Sequence, residues 1–270
     1  MMRRVNIDDD ATRLYASIAA KVLENPQSCT PQHLANLAWA FAVSGAEAPF
    51  LFEALAEQTL LKKEAFQPQH LARTLRAISS VQRLDASFEP HPPGKHALAL
   101  FESIDHVKWF DARSLASVAW AFSRAGISNL KLFNAIAEQV PRHLDAFQAR
   151  DVSDLAWAFG KLADASEIGG IEPLFEKLAQ ASVDKLYLFK PHSLARLVGA
   201  FADLGLSSPA LFQAVKRPAS VGYRQGYASW IRRETRAGLD SRTGNTGLQD
   251  GSRHKWDSLV WAYGDHPCPV

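Results

Sequence analysis

The apolar positions of this chain fall at helical spacing, and the pattern then repeats. In PQHLANLAWAF, starting at Pro31, the residues Leu34, Leu37, Ala38 and Phe41 form the i, i+3, i+4, i+7 stripe of one buried helix face. The word returns as PQHLARTLRAI at Pro68, ARSLASVAWAF at Ala112, ARDVSDLAWAF at Ala149 and PHSLARLVGAF at Pro191. A second word, Leu followed by an aromatic residue, lies between the copies: Leu14-Tyr15, Leu51-Phe52, Leu100-Phe101, Leu132-Phe133, Leu174-Phe175 and Leu211-Phe212. The starts of the first word are 37, 44, 37 and 42 residues apart, so the basic unit is 37. The extra residues fall between the two words. They include Pro90, Pro92, Pro93 and Gly94 in one copy and Gly169 and Gly170 in another, which mark loops.

Each word predicts a helix, A for the first and B for the second. Pro31, Pro68 and Pro191 suit a first helical position, where the missing N–H has no partner to lose. Thr30 and Asp111 are placed to cap two A helices, and Gly45, Gly126 and Gly205 stand where a left-handed residue ends one. A lone hairpin cannot bury its apolar face, whereas stacked hairpins can. The expected fold is therefore all-α, a right-handed α-solenoid of about five helix-turn-helix repeats over residues 10–215. The first B helix, from about Asp10 to Glu24, has no A helix of its own, so the array is expected to begin upstream. After Leu211-Phe212 the pattern meets Lys216, Arg217 and Pro218 and stops. WDSLVWAY, with Trp256, Leu259, Trp261 and Tyr263, then matches helix A once more, so 254–264 reads as the remnant of a further repeat.

Composition refines this picture. The 270 residues carry a net charge of +2, but 216–255 alone hold nine Lys or Arg against three acids, with six of the 15 Gly. Residues 216–253 therefore read as a basic Gly-rich linker or insertion, and the chain outside 216–255 is left at −4. Two cysteines, Cys29 and Cys268, form no disulfide framework and no metal knuckle. No run of 18 apolar residues is present, which argues against a membrane span. The start MMRRVNIDDD has neither a signal-peptide core nor a clear transit peptide. GxxxxGK, GxSxG and HExxH are absent, and no cofactor or metal motif stands out, so the reading is a binder and not an enzyme.

PQHLANLAWAFAVSG followed by LFEALAEQ, with Phe66, Phe110, Phe147 and Phe189 two residues before each next start, resembles the octotricopeptide repeat. It is also similar to the heptatricopeptide repeats and to the helical part of the Fas-activated kinase-like RNA-binding proteins. The resemblance covers about 10–215 and, weakly, 254–264; no RAP domain is seen. It implies a mitochondrial or chloroplast protein that binds single-stranded RNA in transcript stability, processing or translation.

The residues themselves suggest where. The position of Asn36 holds Asn36, Arg73, Ser117, Asp154 and Arg196; that of Val43 holds Val43, Ser80, Arg124, Lys161 and Asp203. Seven residues apart is nearly two turns, so the two positions share a face. The position of Gln32 (Gln32, Gln69, Arg113, Arg150, His192) lies one turn earlier, and Ala40, Ala77, Ala121, Ala158 and Ala200 are expected to keep that face open. Polar side chains that change from repeat to repeat suit a base reader: Asn36, Arg73, Ser117, Asp154, Arg196 and Ser80 for base edges, with Arg73, Arg124, Lys161 and Arg196 also able to neutralise phosphates. A generic solvated face of the inner helices explains the same column equally well, and the alternative function is a protein-binding α-solenoid scaffold. Trp39, Trp120, Trp157 and Trp261 share one position, replaced by Arg76 and Gly199 elsewhere. Packing between repeats is the first reading of that column and base stacking the second. The lost ring at Gly199 is expected to leave a void or a bend.

Overall fold

The computed structural model describes residues 9–46, 48–81, 94–104, 106–162 and 167–216. Residues 216–253, read as a linker, and 254–264, read as a repeat remnant, lie outside them save for Lys216. The described residues form eleven α-helices and no strand. They are α1 (Asp9–Glu24), α2 (Pro31–Ser44), α3 (Pro49–Leu61), α4 (Pro68–Val81), α5 (Lys95–Glu102) and α6 (Ala112–Arg124). After these come α7 (Leu130–Gln139), α8 (Ala149–Gly160), α9 (Ile171–Asp184), α10 (Pro191–Asp203) and α11 (Pro209–Lys216). The even-numbered helices carry the A words and begin at Pro31, Pro68, Ala112, Ala149 and Pro191, and the odd-numbered helices carry the B words.

Local chemistry sets the ends. Thr30 Oγ1 accepts from the His33 N–H at 3.3 Å and Asp111 Oδ1 from the Ser114 N–H at 2.8 Å. These bonds satisfy donors that an opening helix turn leaves unpaired. Asn129 caps α7 in the same way. Gly45, Gly126 and Gly205 follow their A helices at φ 72, 70 and 68°, the left-handed region where glycine has no side chain to clash.

The A helices pack in chain order: α2 on α4, α4 on α6, α6 on α8 and α8 on α10. In the other row α3 touches α1 and α5, while α9 touches α11 and the short turns after α7. One core runs between the rows. Phe133, Phe159, Phe175, Phe201 and Phe212 meet edge to face in series, with ring centroids 5.0 to 6.4 Å apart. Phe66, Phe110, Phe147 and Phe189 are all buried ahead of the next A helix.

The alanine row corrects one expectation. Ala77, Ala121, Ala158 and Ala200 are buried and do not keep a face open. Ala158 and Ala200 lie where an A helix meets the one before it, Ala158 accepting from Ser123 of α6 through its carbonyl at 2.8 Å. A methyl built on Gly160 of α8 would stand 3.1 Å from Ala200 Cα in α10, so small residues are what this contact admits. In α2 the matching residue Ala40 instead lines an open groove with Cys29, His33, Asn36 and Leu37. No helix among the described residues is long and apolar enough to cross a membrane.

Candidate nucleic-acid interface

The open stripe of each A helix falls at i, i+4, i+7 and i+11. In α2 it is Gln32, Asn36, Trp39 and Val43; in α4, Gln69, Arg73, Arg76 and Ser80; in α6, Arg113, Ser117, Trp120 and Arg124. In α8 it is Arg150, Asp154, Trp157 and Lys161; in α10, His192, Arg196, Gly199 and Asp203. All of these except Asp154 are at least partly exposed. The stripes meet from helix to helix. Arg73 Nη1 donates to Asn36 Oδ1 at 3.0 Å, and its guanidinium lies 4.7 Å from the Trp39 ring. Arg76 lies over Trp120 at 4.3 Å, the Trp120 and Trp157 rings are 6.1 Å apart, and Arg196 lies 5.8 Å from Trp157. Lys161 Nζ pairs with Asp203 Oδ2 at 3.2 Å. The variable residues therefore share one continuous surface.

Two of the sequence-selected residues are tied into their surroundings. Ser80 Oγ donates to the Arg76 carbonyl at 2.6 Å. Asp154 is buried, and its oxygens accept from Arg76 at 2.6 Å and Arg196 at 3.0 Å, with Arg150 Nε 3.6 Å away. Ser117 is half-buried beside them in chain order. Asn36, Arg73, Arg196 and Lys161 each keep some exposure while sharing a neighbour in the stripe. Arg124 is half-buried with no hydrogen-bond or ion-pair partner among the described residues, and burial pushes its pKa down. Burial also lowers that of Arg76, against the pull of Asp154.

The tryptophans do two jobs. Trp120 and Trp157 pack between adjacent A helices, as the packing reading expects, yet both keep part of a face on the stripe. Trp39 is 44% exposed. Gly199 meets nothing within 4 Å of where a Cβ would stand, so open space lies beside it at the position where Trp39, Trp120 and Trp157 carry a ring. Selection by column missed Arg76, because it occupies a tryptophan position. It also left out Arg113 and Arg150, although the Gln32 column had placed them on this face.

The stripes carry seven cations (Arg73, Arg76, Arg113, Arg124, Arg150, Lys161, Arg196) against Asp154 and Asp203, a balance of +5. The B helices α1, α3, α5, α7, α9 and α11 together balance at −4. The overall negative charge of the repeat region thus hides a basic, tryptophan-bearing stripe along the A helices. No group of three or more His, Cys, Asp or Glu among the described residues is arranged to hold a metal.

Fold and surface together define the class: an all-α, helical-repeat-like protein with one basic, tryptophan-bearing face. No family profile matches the chain, and no curated protein matches it in sequence.

Proposed function

We propose that the hairpins stack as an α-solenoid and that the A-helix stripes bind single-stranded RNA. The carrying observation is the continuous basic face, seven cations against two acids, interleaved with Trp39, Trp120 and Trp157. Arginine and lysine neutralise phosphates without regard to sequence. Partly open indole faces and guanidinium planes offer stacking surfaces to unpaired bases. Asn36 and Ser117 are the neutral polar groups best placed among them to read base edges. The resemblance to the octotricopeptide repeats adds the setting, an organellar RNA-binding protein in transcript stability, processing or translation.

The test is a titration of short fluorescent single-stranded RNAs at several salt concentrations. An RNA binder is expected to show log affinity falling against log salt at roughly 0.7 per phosphate contacted. Replacing Arg73, Arg124, Lys161 and Arg196 together by Gln should flatten that slope by about 1.4 or more, for two contacts or more. An unchanged slope removes these residues from the interface. Absence of RNA binding alongside capture of a protein partner favours the scaffold reading, which Phe50, Trp109 and Tyr187, exposed outside the stripes, would serve.

A further inference from the structure

Asp154 is unusual in the basic face. It is an acid where a polyanion reader gains nothing from one, and its side chain is 3% exposed. Its two oxygens are spent on arginines from three helices: Arg76 of α4 at 2.6 Å, Arg196 of α10 at 3.0 Å, and Arg150 of α8 at 3.6 Å. Three guanidiniums on one carboxylate leave the group at +2. Asp154 takes one N–H from each of Arg76 and Arg196, and each guanidinium carries five. Ring faces fix the arginines from the other side, Trp120 under Arg76 and Trp157 near Arg196. Arg76 is nearly enclosed, whereas the Arg150 and Arg196 side chains remain 63% and 30% exposed.

We infer that Asp154 is a positioning residue. It holds Arg150 and Arg196 as a preset pair that clamps one phosphodiester of the bound RNA at the junction of α8 and α10. This rests on the RNA reading and deepens it. Without the carboxylate the three cations repel one another, and the exposed pair loses its fixed geometry. A planar guanidinium held in advance loses less freedom when it bonds a phosphate, which is the physical gain of such a clamp.

The inference predicts a sign opposite to that of net charge. Removing an acid from a basic surface should tighten any polyanion by charge alone. Asp154→Asn is instead expected to weaken short single-stranded RNA by about tenfold and to lower the salt slope by about 0.7. Circular dichroism and thermal melting confirm that the variant is folded. Arg150→Gln, at an exposed site, supplies a second route: it should lower the slope by a similar amount, roughly 0.7, in the parent chain. In the Asp154→Asn background the same change should add almost nothing, because the clamp is already lost. RNA binding that is unchanged or tighter in Asp154→Asn overturns the clamp alone, as does an Arg150→Gln effect of equal size in both backgrounds. A parent chain that binds no RNA at any salt overturns the RNA reading and the clamp with it.

Discussion

His192 begins the stripe of α10, and burial, followed by Arg196, Lys190 and Arg150, holds its pKa below the usual 6.5. The folded protein therefore binds this proton less readily than the unfolded chain, which takes it up first as pH falls. Stability from this group is intact above about pH 6.5 and declines on acidification below it. Melting temperatures followed from about pH 7.5 to 5.5 should show that decline, and His192→Gln should flatten it. A phosphate bound nearby reverses the balance, so RNA binding should take up a proton and strengthen as pH falls over the same range. Arg124 makes a sharper single-site case. It is a half-buried cation with no hydrogen-bond or ion-pair partner among the described residues, and a structural role does not explain it. Arg124→Gln is expected to raise the melting temperature slightly while weakening RNA binding. A loss of stability would mark it as structural.

At the scale of single helices, two glycines of the A words should respond in opposite directions. Gly199 lies inside α10 with open space where a side chain would go, so Gly199→Ala should stabilise by about 0.5–1 kcal/mol in chemical denaturation. Gly160 faces the backbone of α10, so in Gly160→Ala the new methyl stands 3.1 Å from Ala200 Cα and the helices must give by a few tenths of an ångström, at an expected cost of about 1 kcal/mol. The turns between helices hold a further repeated device. Lys62 Nζ donates to the Gln27 and Cys29 carbonyls at 2.6 and 2.8 Å, and Lys185 Nζ to the Asp145 and Phe147 carbonyls at 2.9 and 3.4 Å. Both lysines stand four residues before the next buried aromatic, Phe66 or Phe189. Each ties its turn to the turn one repeat back, and Lys62→Met should cost about 1–2 kcal/mol by the same measurement.

These elements also show what a reader of the sequence can and cannot see. Four of the five A helices begin where Thr30 with Pro31, Pro68, Asp111 and Pro191 place them, because caps are local chemistry written within four residues. The shared face of Asn36 and Arg73 follows from periodicity in the same way. The burial of the alanine row does not, since it depends on how closely two helices approach. Nor does the fate of Asp154. Its column predicts an open polar group, and only the neighbouring helices reveal that arginines from α4, α8 and α10 enclose it. Arg76 was hidden for the same reason, being legible as a lost tryptophan but not as a partner 78 residues away.

At the scale of the whole molecule, the described residues divide by charge, with a balance of +5 for the A-helix stripes and −4 for the B helices. If the stripe binds RNA as proposed, its excess of cations steers the polyanion before contact, so association should be faster at low salt and slow steeply as salt rises. The link from Arg76 to Asp154 has a consequence at this scale too. In a linear stack each unit is held mainly by its immediate neighbours, and its ends peel away one at a time. Arg76 leaves α4, crosses the Trp120 ring of α6 and ends on a carboxylate of α8. The middle of the array is thereby laced together, so losing any one of these three helices loosens the other two. Frayed ends around a unit that opens all at once are what hydrogen exchange should record there, and cutting the lace with Arg76→Met should return the chain to stepwise opening.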